Sequence, residues 1–318
     1  MFYLALFGLS LLLTYLIRQY AIKKSIIDIP NERSSHSIPT PRGGGLAVII
    51  TFFIGLFIFR ESIEENLFYA LLSSLPIIIV SLVDDIVTLS SKIRFIVQAL
   101  SALLALYFLG GVDSIDFIFF QLNGWWLNIF AFISILWITN LYNFLDGIDG
   151  YAASEAILVA LGIYLILHNN LGIIVAVAVL GFLIFNWHKA SIFMGDVGSA
   201  TLGFIFAIII FSDTSGGNIY FWLIMLSLFW YDATVTLVRR YQNGERVTQA
   251  HKKHAYQRLT QFGWSHSRVV LYSIAINVIF LLLLYGIPRE FWVYLFVFNL
   301  IMMAVIMKFV DRKKGFYD

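Results

Sequence analysis

The feature that most constrains this sequence is its series of long apolar segments. A helix that crosses a lipid bilayer needs about 20 mostly apolar residues, and eleven segments approach that length. They cover roughly 2–17, 45–59, 67–83, 93–110, 128–145, 151–168, 171–187, 197–212, 219–238, 269–287 and 291–309. Their continuous apolar character, without period-two alternation, argues against an outer-membrane β-barrel. The sequence therefore predicts an all-α, polytopic integral membrane protein with about 11 transmembrane helices.

The composition leads to the same class of protein. Hydrophobic residues make up 60% of the 318 residues, charged residues make up 13%, and the mean hydropathy is +0.86. A soluble domain is about 45–50% apolar and about 25% charged, so this chain has too few polar residues for a water-facing surface. Disordered chains and nucleic-acid-binding proteins need more charge, and we expect no nucleic-acid partner. The absence of cysteine excludes a disulfide scaffold, a thiol nucleophile and a cysteine-bound metal.

The basic residues predict how the chain lies in the bilayer. Of the 21 Lys and Arg, all except Arg60 and Arg289 fall in alternate loops, on one side of the predicted spans. By the positive-inside rule, that side is cytoplasmic, with the N-terminus outside and the C-terminus in the cytoplasm. We find no internal repeat, appended soluble domain or signal-peptide cleavage site. We therefore expect a single membrane-embedded domain, 1–318, with cytoplasmic loops at 18–44, 84–94, 146–150, 188–196 and 239–268.

Acidic residues gather beside these loops. Asp84 and Asp85 end the third span, Asp146 and Asp149 follow the fifth, and Asp196 precedes the eighth. Ionisable groups near a bilayer core are costly and mark functional sites by default. Taken alone, an Asp pair at a helix end is most often a solvated cap, and an Asp-Gly pair is usually a turn. Three acidic clusters on one side of the membrane favour a shared site instead.

The spacing of these residues adds a chemical expectation. Asn140, Asn143, Asp146 and Asp149 recur every three residues, so on a continuing helix they would share one face. We expect the two glycines that follow these acids to end the helix and let a ligand approach the backbone. Oxygen ligands without cysteine suit a hard cation, and Mg²⁺ typically bridges a few carboxylates to a substrate phosphate. Mn²⁺ could substitute for it.

Basic residues on the same side could bind phosphate. Arginine forks a phosphate bidentately and histidine donates to it. The alternative, favoured for most of the lysines of loop 239–268, is a polybasic face on anionic headgroups. Within the ninth span, Asp232 is either a site residue or a partner of Arg239. The candidate phosphate-binding residues are Arg33, His36, Arg42, His251, His254 and Arg258.

Five segments, in order along the chain, resemble the polyprenyl-phosphate N-acetylhexosamine-1-phosphate transferases (glycosyltransferase family 4). This superfamily also holds the phospho-N-acetylmuramoyl-pentapeptide transferase. The segments are Asp28-x-Pro-Asn-x-Arg-x-x-His with Pro-Thr-Pro-Arg42-Gly-Gly-Gly, then Asp84-Asp85, Asn143-x-x-Asp146-Gly-x-Asp149-Gly, Phe193-Met-Gly-Asp196-x-Gly-Ser, and His251-x-x-His254-Ala-Tyr-Gln-Arg258. Each alone is a weak to moderate match, whereas the five together are highly specific and extend from Asp28 to His266.

The resemblance implies an Mg²⁺-dependent enzyme of the bacterial inner membrane, with its active site on the cytoplasmic face. Such an enzyme transfers an N-acetylhexosamine-1-phosphate from a UDP-sugar to undecaprenyl phosphate and releases UMP. This would be the initiating step of O-antigen or other cell-surface polysaccharide synthesis. It implies Asp196 as the metal ligand, Phe193 stacked on uracil, and Asn186 lining the nucleotide site. The remaining expected residues are Asp84, Asp85, Asp146, Asp149, His254 and Arg258 for catalysis, with Asn143, Arg42 and His251 for substrate binding.

Several alternatives stay open on the sequence alone. His251 and His254 stand where the pentapeptide branch has a run of three histidines, which argues against the peptidoglycan precursor as substrate. Either Asp84, which we prefer, or Asp85 could be the base that activates the lipid phosphate. The donor sugar, the exact polyprenyl acceptor and a homodimeric state are undetermined. A proton- or cation-coupled transporter is the rival function, but it predicts acids near mid-span and helices broken at matching places in two halves.

Overall fold

The computed structural model describes residues 1–30, 35–87, 89–246, 249 and 251–317, so that Arg33 of the first motif lies outside the described residues. Fourteen α-helices make up most of this part of the chain. They are α1 (Phe2–Lys23), α2 (Gly45–Ile58), α3 (Glu65–Leu72), α4 (Leu75–Ile86), α5 (Ser91–Leu109), α6 (Trp126–Leu145), α7 (Tyr151–Leu165), α8 (Leu171–Asn186), α9 (Asp196–Ser212), α10 (Asn218–Met225), α11 (Ser227–Gln242), α12 (Ala255–Gln261), α13 (His266–Gly286) and α14 (Trp292–Lys313).

Strands are few and short. In the described ranges, β1 (Ile27–Asp28) pairs antiparallel with β2 (Thr40–Pro41), and β3 (Ser114–Asp116) pairs antiparallel with β4 (Gln121–Asn123). Neither pair forms a layer against which helices could pack. The prediction of an all-α membrane protein is confirmed.

The apolar helices differ in length. Six segments are long and apolar enough to cross a membrane: Phe2–Lys23, Glu65–Ile86, Ser91–Leu109, Trp126–Leu145, His266–Gly286 and Arg289–Lys313. A seventh span results if α10 and α11, bent by 67° at their junction, are taken together. The apolar helices α2, α7, α8 and α9 have only 14 to 17 residues, or roughly 21–26 Å at 1.5 Å per residue, against a hydrocarbon core of about 30 Å. Every predicted segment is thus helical, while the number of eleven crossings stays a prediction.

Helix α9 forms the centre of the bundle. All of its residues from Val197 to Phe211 are buried, and it packs against α2, α4 and α6. Glycines allow these close approaches, because a Cβ on Gly45 would lie only 2.3 Å from the Cα of Gly198. Inside a membrane, where water exclusion cannot drive association, such small-residue contacts let helix backbones pack closely.

The arrangement of the helices brings their polar ends together. Helices α4, α6 and α8 end, and α7 and α9 begin, at the same end of the bundle. The acidic and amide residues that the sequence places at those helix ends therefore meet around one cavity. Away from this end, the buried Glu155 of α7 accepts a hydrogen bond from Asn277 of α13.

Candidate active site

A cavity of about 310 Å³ opens where these helix ends meet. Most of the predicted site residues line it: Arg42, Asp85, Asn143, Asp146, Asp149, Asn186, Phe193 and Asp196. Four of the predicted residues do not, namely Asp84, His251, His254 and Arg258. Asp28 and His36 of the first motif line the cavity as well, and so do Ser199, Gln257 and His266, which were not predicted as site residues.

The two adjacent acids at the end of α4 point in different directions. Asp84 accepts hydrogen bonds from the Leu89 amide (2.6 Å) and from Nη1 of Arg94 (3.0 Å). Asp85 is buried beside the start of α9, where its Oδ1 accepts a hydrogen bond from the Asp196 amide at 3.4 Å. Asp85, rather than the preferred Asp84, therefore faces the cavity.

Asp196 is the first residue of α9 and lies between an acid and a base. Its side chain is about 29% exposed, and its Oδ2 contacts Nη1 of Arg94. The same guanidinium nitrogen also contacts Asp84. Arg94 thus links the acids of α4 and α9.

These residues fit a hard divalent cation. Oδ2 of Asp85 is buried and has no hydrogen-bond partner among the described residues. Gly195 adopts φ +74°, and a Cβ there would lie 2.8 Å from this oxygen, so only glycine leaves the approach open. Asp84, Asp85 and Asp196 supply carboxylate oxygens, the ligands that Mg²⁺ prefers. The residues present therefore fit a divalent cation, and Asp196 as its ligand stays a prediction.

The central motif spans the end of α6 and the turn that follows it. The helix ends at Leu145 with Asp146 as its C-cap, before either glycine, and Gly150, at φ +76°, instead precedes the first residue of α7. The expectation that these glycines end the helix is therefore wrong. Asn143 still lies on α6 and donates to Ser199 on α9 at 3.2 Å. Asn140 donates instead to Gln98 at 2.8 Å and is not part of the cavity wall. The four residues therefore do not share one helical face.

The acids of this turn have opposite electrostatic surroundings. Burial raises the pKa of the Asp146 carboxyl well above its usual range, and the nearby carboxylates of Asp196, Asp85 and Asp149 raise it further. Burial also raises the pKa of Asp149, but hydrogen bonds from histidine rings and from the Ala190 amide lower it more, so that the net pKa is below the usual value. Asp149 is therefore ionised at neutral pH.

Two histidines hold Asp149 in place. Nδ1 of His188 lies 2.7 Å from Oδ2 of Asp149, and Nδ1 of His266 lies 3.2 Å from the same oxygen. The Asp149 amide nitrogen lies 3.3 Å from the same Nδ1, and Nε2 of His266 lies 3.1 Å from the Ser35 carbonyl. One potential ligand atom from each of the three side chains lies within 4.8 Å of the others, so these residues too could hold a metal.

An aromatic and basic wall faces the acids. The ring of Phe193 lies edge-to-face with His36, at 4.8 Å between centroids. The Phe193 amide donates to the Pro41 carbonyl (2.8 Å), and the Phe193 carbonyl accepts from the Gly44 amide (2.9 Å), which ties the loop before α9 to the segment that carries Arg42. The sequence motifs of these two loops therefore meet in space.

Asn186, which was expected to line the nucleotide site, is buried in the cavity wall. Its side-chain oxygen accepts a hydrogen bond from the Gly150 amide (3.1 Å), and its side-chain nitrogen donates to the Ile192 carbonyl (3.0 Å). The amide group lines the cavity, yet both of its ends bind backbone. Asn186 thus holds two loops of the cavity wall together.

The histidine loop lies beside the cavity. His254 is buried, and its Nδ1 lies 3.5 Å from Oδ1 of Asp232. Asp232 also accepts from the Ala255 amide at 2.9 and 2.8 Å and from Thr236 at 3.0 Å. The alternative that Asp232 pairs with Arg239 is wrong. Asp232 instead holds the start of α12.

Arg258 requires a correction. Only 1% of the residue is exposed, and its guanidinium donates to Asp311 at 2.7 Å and to the Lys314 carbonyl at 3.0 Å. It does not line the cavity, because α12 turns Gln257 toward the cavity and the next residue toward α14. A direct contact of Arg258 with a transferring phosphoryl group is therefore not compatible with this arrangement.

The chain is similar to known proteins over most of its length. The model of the family Glycosyl transferase family 4 matches residues 67–213, which include the three acidic motifs. A probable undecaprenyl-phosphate N-acetylglucosaminyl 1-phosphate transferase of Bacillus subtilis is 31% identical, with 85% of this chain and 79% of that protein covered. A decaprenyl-phosphate N-acetylglucosaminephosphotransferase of Mycobacterium tuberculosis is 30% identical, over 84% and 78%. A phospho-N-acetylmuramoyl-pentapeptide-transferase of Clostridium acetobutylicum is 33% identical over a shorter part, 52% and 58%.

Proposed function

The chain belongs to glycosyl transferase family 4 and is a membrane-bound phospho-N-acetylhexosamine transferase. We propose that it transfers N-acetylglucosamine-1-phosphate from UDP-N-acetylglucosamine to undecaprenyl phosphate. The products are polyprenyl-diphospho-N-acetylglucosamine and UMP. The observation that carries the proposal is the cavity in which Asp85, Asp146, Asp149 and Asp196 face Arg42 and Phe193. The B. subtilis and M. tuberculosis relatives, whose names state this sugar, support the choice of donor.

Each wall of the cavity has a part in this proposal. The Phe193 ring offers a flat face on which uracil can stack, and the guanidinium of Arg42 can fork a phosphate. Asp149, kept ionised by His188 and His266, can accept a hydrogen bond from an N–H of the base. Asn143 and Asn186 fix the cavity wall through Ser199 and Gly150.

The residues that would hold a metal are those at the start of α9 and the end of α4. Asp196, with Asp84 and Asp85, would hold Mg²⁺, or Mn²⁺ in its place, and a bound divalent cation neutralises charge on the diphosphate. Of the two adjacent acids only Asp85 lines the cavity, so Asp85 rather than Asp84 would accept a proton from the acceptor phosphate. A phosphate monoester is already largely ionised at neutral pH, since its second pKa is about 6, so this proton transfer assists the reaction without being essential.

The bond changes follow from one displacement. An oxygen of the lipid phosphate bonds to the phosphorus that carries the sugar, and the bond from that phosphorus to the bridging oxygen breaks. UMP leaves with the bridging oxygen. One phosphoric anhydride replaces another, so the overall free-energy change is small. The barrier comes from the repulsion between the two anions that must meet, and the cationic side chains of the cavity wall lower this barrier.

The placement in the membrane is part of the proposal. The seven long spans and the four shorter apolar helices would make eleven crossings, with the N-terminus outside and the acidic cavity at the cytoplasmic face of a bacterial inner membrane. The whole chain would act as a single domain, with its active site built from loops 18–44, 84–94, 146–150, 188–196 and 239–268. The product would initiate O-antigen or another cell-surface polysaccharide. A transporter is disfavoured, because the cavity acids lie at helix ends rather than at mid-span.

The direct test is product analysis with the purified full-length protein. Undecaprenyl phosphate and Mg²⁺ are supplied with UDP-N-acetylglucosamine, UDP-N-acetylgalactosamine or UDP-glucose in separate reactions. We expect UMP and lipid-diphospho-sugar in equal amounts with UDP-N-acetylglucosamine, and little product with UDP-glucose. Preference for another N-acetylhexosamine would refute the donor assignment alone. Release of UDP, or no product with any donor, would refute the proposed reaction.

A further inference from the structure

Arg94 makes an unusual pair of contacts at the edge of the cavity. It lies in the first turn of α5, and its single Nη1 contacts both Oδ2 of Asp84, at 3.0 Å, and Oδ2 of Asp196. Its Nε is buried without a hydrogen-bond partner among the described residues. Arg94 thus holds together two of the three carboxylates that fit a divalent cation.

The charge of the region explains why a cation belongs there. Asp85, Asp196 and the acidic turn after α6 line the same cavity, and Asp84 is joined to Asp196 through Arg94. Carboxylates this close repel one another unless a positive charge lies between them. The guanidinium of Arg94 supplies that charge from the protein itself.

The same position is the one that a metal would need. Mg²⁺ binds carboxylate oxygens at about 2.0–2.1 Å and demands near-ideal octahedral geometry. An oxygen of Asp196 in contact with a guanidinium cannot also take that position without bringing two cations together, which costs free energy. Arg94 and a divalent ion therefore compete for Oδ2 of Asp196.

We propose that Arg94 is a tethered cation that competes with the divalent metal for Asp196, so that metal binds weakly to the free protein and tightly once a nucleoside diphosphate is present. A diphosphate gives the displaced guanidinium a new anionic partner within reach, because arginine forks phosphate oxygens. The exchange couples metal capture to substrate capture. It rests on the proposed function for the identity of the diphosphate, and on the contacts of Arg94 for the competition itself. Arg94 is by this account a positioning residue.

Binding of Mn²⁺ measures this competition without any turnover. Free Mn²⁺ is titrated by electron paramagnetic resonance into the purified full-length protein, first alone and then with UDP. We compare the wild type with Arg94→Gln and Arg94→Met, which remove the charge, and with Arg94→Lys, which keeps it. The matched control is Arg42→Gln, which removes the same charge from the cavity wall; among the described residues, the salt bridge to Asp196 comes from Arg94 and not from Arg42. Size-exclusion profiles establish that each variant is folded.

The expected result is a difference between the variants in the absence of nucleotide. Arg94→Gln and Arg94→Met should bind Mn²⁺ at least about fivefold more tightly than the wild type. Arg94→Lys should have the Mn²⁺ affinity of the wild type, and the increase in affinity should be smaller in Arg42→Gln than in Arg94→Gln. UDP should then increase Mn²⁺ affinity by a larger factor in the wild type than in Arg94→Gln, because only the wild type has a competitor to displace.

Other outcomes would overturn the proposal. Unchanged or weaker Mn²⁺ binding in both charge-removing variants would mean that Arg94 orients Asp196 for the metal rather than competing with it. An equal increase in the Mn²⁺ affinity of Arg42→Gln would mean that the effect comes from net charge and not from the contact of Arg94 with Asp196. If Asp196→Asn binds Mn²⁺ like the wild type, the ion does not bind at Asp196, and the competition fails. If the protein binds Mn²⁺ as expected but releases no UMP, the competition between Arg94 and the metal stands and the proposed transferase function is refuted.

Discussion

The guanidinium of Arg258 lies against the carboxylate of Asp311, with Nη1 2.7 Å from Oδ1. Asp311 also accepts two hydrogen bonds from Arg239, each at 2.9 Å. The ring of Phe316 packs under both guanidinium groups, at 5.4 and 5.3 Å. The loop that carries the histidine motif is thereby joined to the end of α14.

We predict that Arg258→Ala and Asp311→Ala have similar and non-additive effects. Each should lower the stability of the protein by about 1.5–3 kcal/mol, the usual range for a hydrogen bond to a charged group, and the double variant should be little worse than either single one. Thermal unfolding in detergent measures this. A catalytic Arg258 would behave differently: Arg258→Ala would lose turnover at unchanged melting temperature, while Asp311→Ala stayed active.

Gly147 has no room for a side chain. A Cβ there would lie 2.1 Å from the hydroxyl oxygen of Tyr256, which donates to the Phe144 carbonyl at 3.1 Å. We predict that Gly147→Ala lowers both activity and melting temperature, by about 1–3 kcal/mol in stability, because α12 must move away from the acidic turn. Combining it with Tyr256→Phe, which removes the hydroxyl, should restore part of the loss. If the double variant equals the sum of the two single effects, this clash is not the cause.

His251 provides a prediction for pH dependence. Burial lowers the pKa of its ring to about 3, and the neighbouring His254 and Arg240 contribute in the same direction. The backbone amide of Lys253 donates to its Nδ1 at 3.2 Å, so the folded ring is neutral. The unfolded ring takes up a proton near pH 6.5. The unfolded state therefore binds more protons below that pH, and stability falls as the pH is lowered from about 6.5 toward 3.

The measurement for His251 is a comparison of melting temperatures across pH. Between pH 7 and pH 5, the melting temperature should fall further in the wild type than in His251→Asn, because the asparagine side chain does not take up a proton. A parallel pH dependence in the two proteins would contradict the buried neutral ring. Lys252→Gln, next in the chain and on the same loop, is the control and should follow the wild type.

Phe193 tests the base-binding wall. Stacking of a base on an aromatic side chain is worth about 1–3 kcal/mol, so Phe193→Ala should raise the KM for the UDP-sugar roughly 5–150-fold. Phe193→Trp, which keeps an aromatic face, should retain most of the affinity. The KM for the lipid acceptor should change little in either variant. An unchanged KM for the donor in Phe193→Ala would place the nucleotide elsewhere.

Much of the cavity could be predicted from the sequence. Asp85, Asp146, Asp149 and Asp196 stand at the ends of apolar segments and on the side of the chain where the basic residues gather. Helices that alternate in direction bring such ends together whatever the details of their packing. The four shorter helices also follow their apolar segments closely, since α9 (Asp196–Ser212) matches 197–212 and α8 (Leu171–Asn186) matches 171–187.

The contacts between distant segments could not be predicted. Arg94 looked like one more basic residue of a cytoplasmic loop, and nothing in its spacing indicates the contact with Asp196, 102 residues away. His266 likewise meets the Asp149 amide across 117 residues. Arg258 was misassigned for a related reason: successive residues on a helix point about 100° apart, so a motif on α12 does not tell which of its side chains faces the cavity.

The measurement that tests the account most directly is lipid-product formation by Asp196→Asn. Asp213→Asn is the matched control, because Asp213 follows the other end of the same helix, roughly 25 Å away. Both purified proteins receive UDP-N-acetylglucosamine, undecaprenyl phosphate and Mg²⁺. We expect Asp213→Asn to form polyprenyl-diphospho-N-acetylglucosamine at the wild-type rate and Asp196→Asn to lose on the order of 100-fold or more, since a charge-stabilising ligand is removed. Near-wild-type turnover by Asp196→Asn would contradict the assignment of this cavity as the active site.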